Sequence, residues 1–477
     1  MSSDEPGAPS RRTEGRRRRA RAFAVSFAAV VAALAVVGVA GAAASVAQGP
    51  RVTDVQVDPT AAVEASGSRL IVTTSQSLAE VDPAQVTVTP ATPFAVDTSG
   101  RSVGIRFALP LWDETEFTVR IDGVQGFGGS PETTITESFR TPSLSVHLLQ
   151  RGGGGEDDTI FLTDLSGDEA MPVFTHPHIE DFRATTSHLV ISVRTDDDQA
   201  GLIVTDRGGV GARELPLPGD GYISNLQTAD RGQLIGYTFS DADLGATGGQ
   251  ESVLYTASLQ SEAAETPPTA VEIDGADPRV AEWRFVPDTD SLLLLSFDGS
   301  LLLTASGGEG ATALGAAVSI DGIARGSSEA VVERVDEVTT IDLTDASEEP
   351  LVEPVPPLGG VSTVTPLPDG STIRTAAVLE ADGTPTGRTS VTLVAADGTA
   401  SLLSEIAATD AVLQVCASPS ARYVAILVAP DAVANPYDTY LLPLPERVET
   451  RILEIGDAAD VVSLAGSSIS WCQVPPL

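Results

Sequence analysis

Glu282-Trp-Arg-Phe-Val-Pro-Asp-Thr-Asp-Ser-Leu-Leu-Leu-Leu295, followed closely by Leu301-Leu-Leu-Thr-Ala305, is the stretch around which the chain reads. An apolar strand runs into Pro287 and Asp288, a second apolar strand leaves, and a third follows. Pro presets φ for a turn and Asp or Gly accepts its left-handed corner, so the first part is a hairpin. Further copies are Val364-Thr-Pro-Leu-Pro-Asp-Gly-Ser-Thr-Ile373 and Cys416-Ala-Ser-Pro-Ser-Ala-Arg-Tyr-Val-Ala-Ile426. The short strand that follows recurs more often. It is found as Ile160-Phe-Leu-Thr-Asp-Leu165, Leu202-Ile-Val-Thr-Asp206 and Val253-Leu-Tyr-Thr-Ala257, and again as Thr340-Ile-Asp-Leu-Thr-Asp345, Val391-Thr-Leu-Val-Ala395 and Tyr440-Leu-Leu-Pro-Leu444.

The starts at 160, 202, 253, 301, 340, 391 and 440 are separated by 42, 51, 48, 39, 51 and 49 residues. A loose period in the forties suits a four-stranded propeller blade. The competing architecture is a large irregular β-sandwich, and seven paired copies favour the propeller. The hairpins resemble the "Ser-Pro-Asp-Gly-Arg-Tyr-Ile-Ala" blade motif of TolB-like and YVTN-like bacterial propellers. Residues 416–426 lack the Asp-Gly, and residues 318–335 depart furthest from the motif. The resemblance implies an architecture and leaves activity open, because propellers host binding proteins, hydrolases and lyases alike.

At 477 residues the chain calls for two or three units. It has no Lys and 28 Arg, with a formal charge of −38. Seven of those Arg lie between Arg11 and Arg21, so the remainder is more acidic than the total suggests. Nucleic-acid binding needs clustered cations to neutralise phosphates, and this composition excludes it as a partner. A solvated, self-repelling surface is the plain meaning of the acidity.

Residues 1–21 form an Arg-rich tail, and an uncharged run extends from Ala22 to Pro50. Roughly 20 apolar residues cross a bilayer as a helix, so residues 22–48 are expected to be a transmembrane helix or signal anchor. The Arg cluster holds its N-terminal side in the cytoplasm, which makes the rest extracytoplasmic. Ser45-Val-Ala47 has small residues at signal-peptidase spacing, and cleavage near Ala47 would release a secreted body. The length of the apolar run favours a retained single-pass anchor.

Between residues 50 and 142 the pattern is alternating strands: Val52–Val57, Arg69–Thr74, Gln85–Thr89, Ser102–Phe107, Glu116–Asp122 and Ile135–Arg140. Six or seven short strands over this length suit a small β-sandwich. The segment resembles S-layer-type bacterial Ig-like domains. The resemblance rests on Pro50-Arg-Val52, Val-Thr-Val-Thr-Pro at 86–90, Phe-Thr-Val-Arg-Ile-Asp-Gly-Val at 117–124 and Ser-Phe-Arg-Thr-Pro at 138–142. It implies a spacer or adhesive module.

Residues 143–477 are assigned to the propeller. Its first strand is Leu144–Gln150, and the chain ends with apolar stretches Val461–Leu464 and Ile469–Val474. A circular array must hide its edges. The C-terminal pair is therefore expected to complete the first blade, giving seven blades, or six if residues 311–345 merge with a neighbour. The chain has two cysteines, Cys416 and Cys472. An even count in an exported chain points to a disulfide tying the closing blade to its neighbour.

Catalytic and metal motifs are sparse. Gly-x-Ser-x-Gly is absent, and the four His (His147, His176, His178, His188) confine any His-dependent mechanism to the first part of the propeller. His176-Pro-His178 would need ligands such as His188 or Asp181 to hold a metal, and a surface loop is the simpler reading. Asp196-Asp-Asp198 and Asp241-Ala-Asp243 lack the spacing of a calcium loop and are taken as solvated tips. Gly152–Gly155 lacks the Lys of a phosphate loop and reads as linker. Of the three Trp, Trp112, Trp283 and Trp471, the last two sit in strands where burial is expected, so composition does not support a sugar-binding face.

The sequence thus points to an all-β, membrane-anchored envelope protein without assigned catalytic residues, cofactor or metal. The leading function is a non-catalytic binding or scaffolding module for an envelope protein or glycan. A hydrolase or lyase with a divergent site, and a bare spacer, are the alternatives. An enzyme should gather ionisable groups at the channel mouth, whereas a scaffold should expose a broad apolar or charged patch.

Overall fold

The computed structural model describes residues 11–476, apart from 48, 154, 196, 230–232, 246, 247, 264, 274 and 307–309. Helix α1 (Arg11–Ala47) is continuous. Its stretch Arg19–Val39 is exposed throughout and is long and apolar enough to cross a bilayer.

The rest divides into two compact units. The first takes residues up to 58, 69–106 and 116–139. It holds a four-stranded sheet (Val52–Gln56, Arg69–Thr74, Ser102–Phe107, Phe94–Ser99) and a three-stranded one (Val86–Thr89, Glu116–Val124, Thr133–Arg140). Alternation buries Leu70, Val72, Val103 and Ile105 from the first sheet and Val88, Phe117, Val119 and Ile121 from the second. Strand Phe94–Ser99, which alternates cleanly before the turn at Gly100, adds to the six expected strands.

The second unit takes residues 59–68, 107–115 and 140–477. A single cut near residue 142 therefore does not separate the units, because two short segments from earlier in the chain pack with the later residues. One of them carries helix α2 (Pro59–Glu64). Among the described residues, its main part is one three-stranded and six four-stranded antiparallel sheets, consecutive in sequence. We number them I to VII. Their first strands, the innermost ones in sheets II to VII, are Ser145–Gln150, Ile179–Ala184, Gly221–Thr228, Val280–Phe285, Ser319–Ile323, Val361–Pro366 and Ala411–Ala417.

Each first strand from sheet I to sheet VII touches the next one. Apolar cores fill the gaps between sheets. Leu293, Leu295 and Leu301 of sheet IV meet Ile320, Ala330 and Val332 of sheet V. Sheet VII returns to sheet I through Tyr423, Ile452, Val146, Leu148 and Trp471. The sheets close on themselves as a β-propeller. Second strands such as Leu292–Leu295 and Tyr423–Ala429 are apolar without alternation because both faces are covered. Each such Leu contributes about 1.5–3 kcal/mol. Gly236 in sheet III leaves room for the buried Trp283 of sheet IV, since a Cβ there would lie 2.5 Å from its ring.

The sequence repeat proves to mark the outer hairpins. Its copies at 202, 253, 301, 340 and 391 are the third strands of sheets II to VI, and the copy at 160 is the middle strand of sheet I. The copy at Tyr440–Leu444 is a correction. It lies in the long connection between Tyr423–Ala429 and the true third strand, Glu449–Glu454. Pro443 and Pro445 cannot donate to a ladder, and this loop is held by side chains of sheets I and II instead. The divergent region 311–345 supplies the outer strand of sheet IV (Thr312–Ala316) and three regular strands of sheet V.

Closure also differs in detail. Val461–Leu464 belongs to the outer strand of sheet VII (Asp460–Ala465) and does not enter sheet I. The residues just after it run beside Ser145–Gln150, with Leu149 and Ser467 exchanging backbone hydrogen bonds of 3.0 and 2.8 Å. Ser470 N donates to His147 O at 3.0 Å. One short segment, rather than a pair of strands, covers the inner edge of sheet I.

Candidate functional site

The inner strands of sheets II to VII share a local defect that shapes the channel. Each pairs with its second strand through a register shift: at Ile179/Asp181, Ser224/Gln227, Val280/Glu282, Ile320/Gly322, Val361/Thr363 and Val412/Gln414. A bulge leaves a residue out of the ladder and re-aims it. Glu180, Asn225, Ala281, Asp321, Ser362 and Leu413 are the displaced residues, and all six line one cavity of about 1000 Å³ along the channel. Sequence reading missed this ring. Its signal was a residue breaking the strand pattern near the start of each inner strand.

The inner strands of sheets II to V and VII run in the same direction, since residues that follow their ends (Thr185, Ala229, Asp288, Arg325 and Pro419) line one small cavity. Ser145–Gln150 runs the opposite way, from Ser145 at that cavity to Arg151 beside Glu180. The channel therefore has an entry end, where inner strands begin, and an exit end, where they finish. Near the entry end Glu180 is buried. Its carboxylate lies 2.7 Å from His178 Nε2 and 3.4 Å from Arg194, and it accepts from Leu441 N and Leu442 N at 3.1 Å each. Arg151 donates to Asp438 Oδ2 (2.7 Å), Leu442 O (2.9 Å) and Glu180 O (2.7 Å), and its guanidinium stacks 4.1 Å from the Tyr440 ring. Tyr440 OH donates to Asp158 Oδ1 at 2.7 Å, and burial followed by this contact pushes the phenol above its usual range. These bonds hold residues 438–444 against sheets I and II.

Deeper in the channel Asp181 and Arg183 form a buried pair, with contacts of 2.9 Å. Burial raises the Asp181 carboxyl, opposed by the Arg183 charge, and burial lowers Arg183. On the opposite wall Arg284 donates to Trp283 O and Ile320 O at 2.8 Å and lies 3.7 Å from Glu282. Asp321 accepts a long 3.3 Å bond from Val364 N. Burial, with repulsion from Glu333 and Glu282, pushes it up to about 6 despite that bond.

The exit end is covered. Residues of α2 and 107–115 line a small cavity of about 120 Å³ together with Arg183, Arg207, Arg325 and Trp471. Arg207 pairs with Glu64 at 3.1 Å, Leu111 N donates to Ala62 O at 2.7 Å, and Arg325 donates to Trp471 O at 2.9 Å. Gly326 has φ +67°, and a Cβ there would stand 2.9 Å from Leu109.

Cys416 and Cys472 are disulfide-bonded, joining the inner strand of sheet VII to the segment beyond the closure. The histidines are not brought together. His176 Nδ1 faces His178 backbone atoms and His178 faces Glu180, whereas His188 contacts Ser187 Oγ at 3.0 Å near the exit end. His147 is buried beside the closing segment. Its Nε2 donates to Arg207 O at 3.0 Å, and burial pushes it down to about 4. Asp181 is spent on Arg183, and Asp198 pairs with Arg194 at 3.2 Å. Asp196 and Gly154 lie outside the described residues. Asp241 accepts from Gln250 N at 2.7 Å within its own loop. Trp283 and Trp471 are buried, and Trp112 is partly exposed under the Arg422 guanidinium.

No family model and no curated protein matches the chain. Solved structures similar to it include TolB from Acinetobacter baumannii (11% identity, 82% of each chain, TM-score 0.36). Another is the β-propeller domain of Cps50 (Swd1) from Myceliophthora thermophila (14% identity, 61% of this chain and 87% of that one, TM-score 0.39). A third is a puromycin-hydrolysing peptidase from Mycobacterium tuberculosis (11% identity, 69% of this chain and 54% of that one, TM-score 0.42). At these identities no activity carries over from them.

Proposed function

We propose that this chain is a membrane-anchored, extracytoplasmic protein with an Ig-like spacer and a seven-bladed propeller. It acts as a non-catalytic binding or scaffolding module of the cell envelope, and its partner is an envelope protein or glycan met at the entry end of the channel. The disulfide supports an oxidising compartment, and the apolar α1 supports the anchor. One observation carries the binding role. The buried channel carboxylates Glu180 and Asp181 are engaged by Arg, His or backbone amides, while α2 and 107–115 cover the exit end. Such groups specify shape and charge and are not poised to move protons. Site-specific photo-crosslinking in cells tests this. A crosslinker at Tyr437, which lines the cavity at the entry end, should give discrete adducts, and one at Val210, at the exit end, should not. Equal labelling at both would count against a binding face.

A divergent hydrolase or lyase draws on Asp321 alone, a carboxyl near pH 6 in a roomy cavity and thus suited to proton transfer. A turnover lost in Asp321→Asn with the fold intact would favour that reading.

A further inference from the structure

Apolar side chains are distributed unevenly between the two ends of the propeller. Connections at the entry end expose Leu244 (54%), Phe297 (51%), Val335 (83%), Val433 (101%) and Tyr437 (61%). They come from sheets III, IV, V and VII. In the connections at the exit end, Val210, the partly exposed Trp112 and Val355, which is bonded to the exit-end turn at Gly398 and Ala400, are the comparable side chains among the described residues. Scattered apolar residues need no explanation, whereas a set gathered around the mouth of a cavity marks an interaction surface.

The charges of the same rim say what kind of surface it is. Its arginines already face carboxylates: Arg279 meets Asp277 at 2.7 Å and Glu251 at 3.3 Å, Arg334 meets Glu348 at 2.9 Å, and Arg447 meets Asp431 at 3.9 Å. Asp336, Glu337, Glu380, Asp382 and Glu446 sit in the same connections with no arginine ion pair among the described residues. Inside the mouth, Glu282, Asp321 and Glu333 line the cavity against Arg284. The surface is apolar points in a negative field. Anionic lipid headgroups and acidic glycans would be repelled by it. A small polyamine would answer the charge and leave the apolar points uncovered.

We propose that the entry-end rim docks a basic polypeptide segment of a partner protein, one in which Arg or Lys side chains alternate with aliphatic ones. The aliphatic side chains cover Val335, Val433 and Tyr437, and the cations meet the unpaired rim carboxylates and the channel mouth. This rests on the binding role proposed above and adds the chemistry of the partner. The long-range field speeds the encounter, and the apolar contacts supply residence time.

The test uses the full-length chain in detergent and three short synthetic peptides of Leu with Arg, Leu with Glu, and Leu with Ser, measured by fluorescence anisotropy. The Leu-Arg peptide should bind about tenfold more tightly than the other two. Raised salt should weaken it, and Val335→Ser combined with Val433→Ser, which removes apolar contact without adding charge, should weaken it by about tenfold. Val210→Asp at the exit end should leave it unchanged. Equal affinity for the Leu-Ser or Leu-Glu peptide would overturn the basic partner while leaving a binding role standing. Binding unaffected by the rim variant, or lost in Val210→Asp, would overturn the surface. Absence of binding by all three would overturn the whole inference, and the photo-crosslinking result would then decide the binding role separately.

Discussion

Asp113 and Arg422 lie 309 residues apart in the chain, yet their side chains meet at 3.0 Å on the exit side of the propeller unit. Arg422 Nη1 also donates to Asp113 O at 2.8 Å, and Tyr423 OH donates to the same carboxylate at 3.0 Å. Burial pushes the Tyr423 phenol above its usual range, and Asp113 adds to that. A short acidic turn from early in the chain is thereby fixed on the inner hairpin of sheet VII.

Asp113→Ala should therefore leave the Tyr423 hydroxyl without its acceptor and remove the carboxylate from Arg422, which keeps Glu454 at 3.0 Å and the residue-113 carbonyl. The expected loss is about 2 kcal/mol, read as a lower urea midpoint. Asp54→Ala, at an exposed strand position in the other unit, should change the midpoint little. An equal effect of the two substitutions would show that residues 107–115 are not held by this cluster.

The disulfide spans 56 residues of sequence. By loop-closure entropy its removal should cost about 4 kcal/mol. Cys416→Ser with Cys472→Ser should unfold at lower temperature, and reductant should shift the wild type toward the double variant but not the variant itself.

His147 carries a depressed pKa of about 4 in the folded chain, caused by burial, against 6.5 when exposed. The unfolded chain therefore binds a proton first. Stability from this group is complete above about pH 6.5, falls as pH drops, and levels off below about 4, a loss of up to about 3 kcal/mol. His147→Gln keeps a donor for Arg207 O and cannot titrate. Its stability relative to wild type should rise steadily as pH is lowered through that window, as urea titrations would register.

Asp321 has the opposite sign. Its folded pKa of about 6 lies above the 3.8 of an exposed Asp, so the folded state favours the protonated form. The charged carboxylate costs stability as pH rises through about 6. Asp321→Asn should be more stable than wild type at pH 8 by about 2–3 kcal/mol and equal to it near pH 3.

Much was legible in the chain itself. Local turn chemistry and apolar strands of steady length specified the repeating sheets, because hairpins such as 282–295 form from neighbouring residues. The cysteine pair followed from compartment and count, and α1 from hydropathy alone. The closure needed more. Nothing local distinguishes Asp460–Ala465, which stays in sheet VII, from the residues just after it, which cross to sheet I. The same limit applied to Tyr440–Leu444, whose apolar spelling suits a strand while Arg151, Glu180 and Asp158 hold it as a loop.

The sequence by itself determined the elements: one membrane-length helix, a strand-rich segment, a repeating β array and a cysteine pair. Only the tertiary structure decided what faces what. The bulge residues meet in one channel, α2 and 107–115 cover the exit end, and an apolar acidic rim is left open at the other. The reason is physical. Hairpins and helices are set by contacts a few residues apart, whereas a channel lining is assembled from residues dozens to hundreds apart whose juxtaposition exists once the sheets have packed.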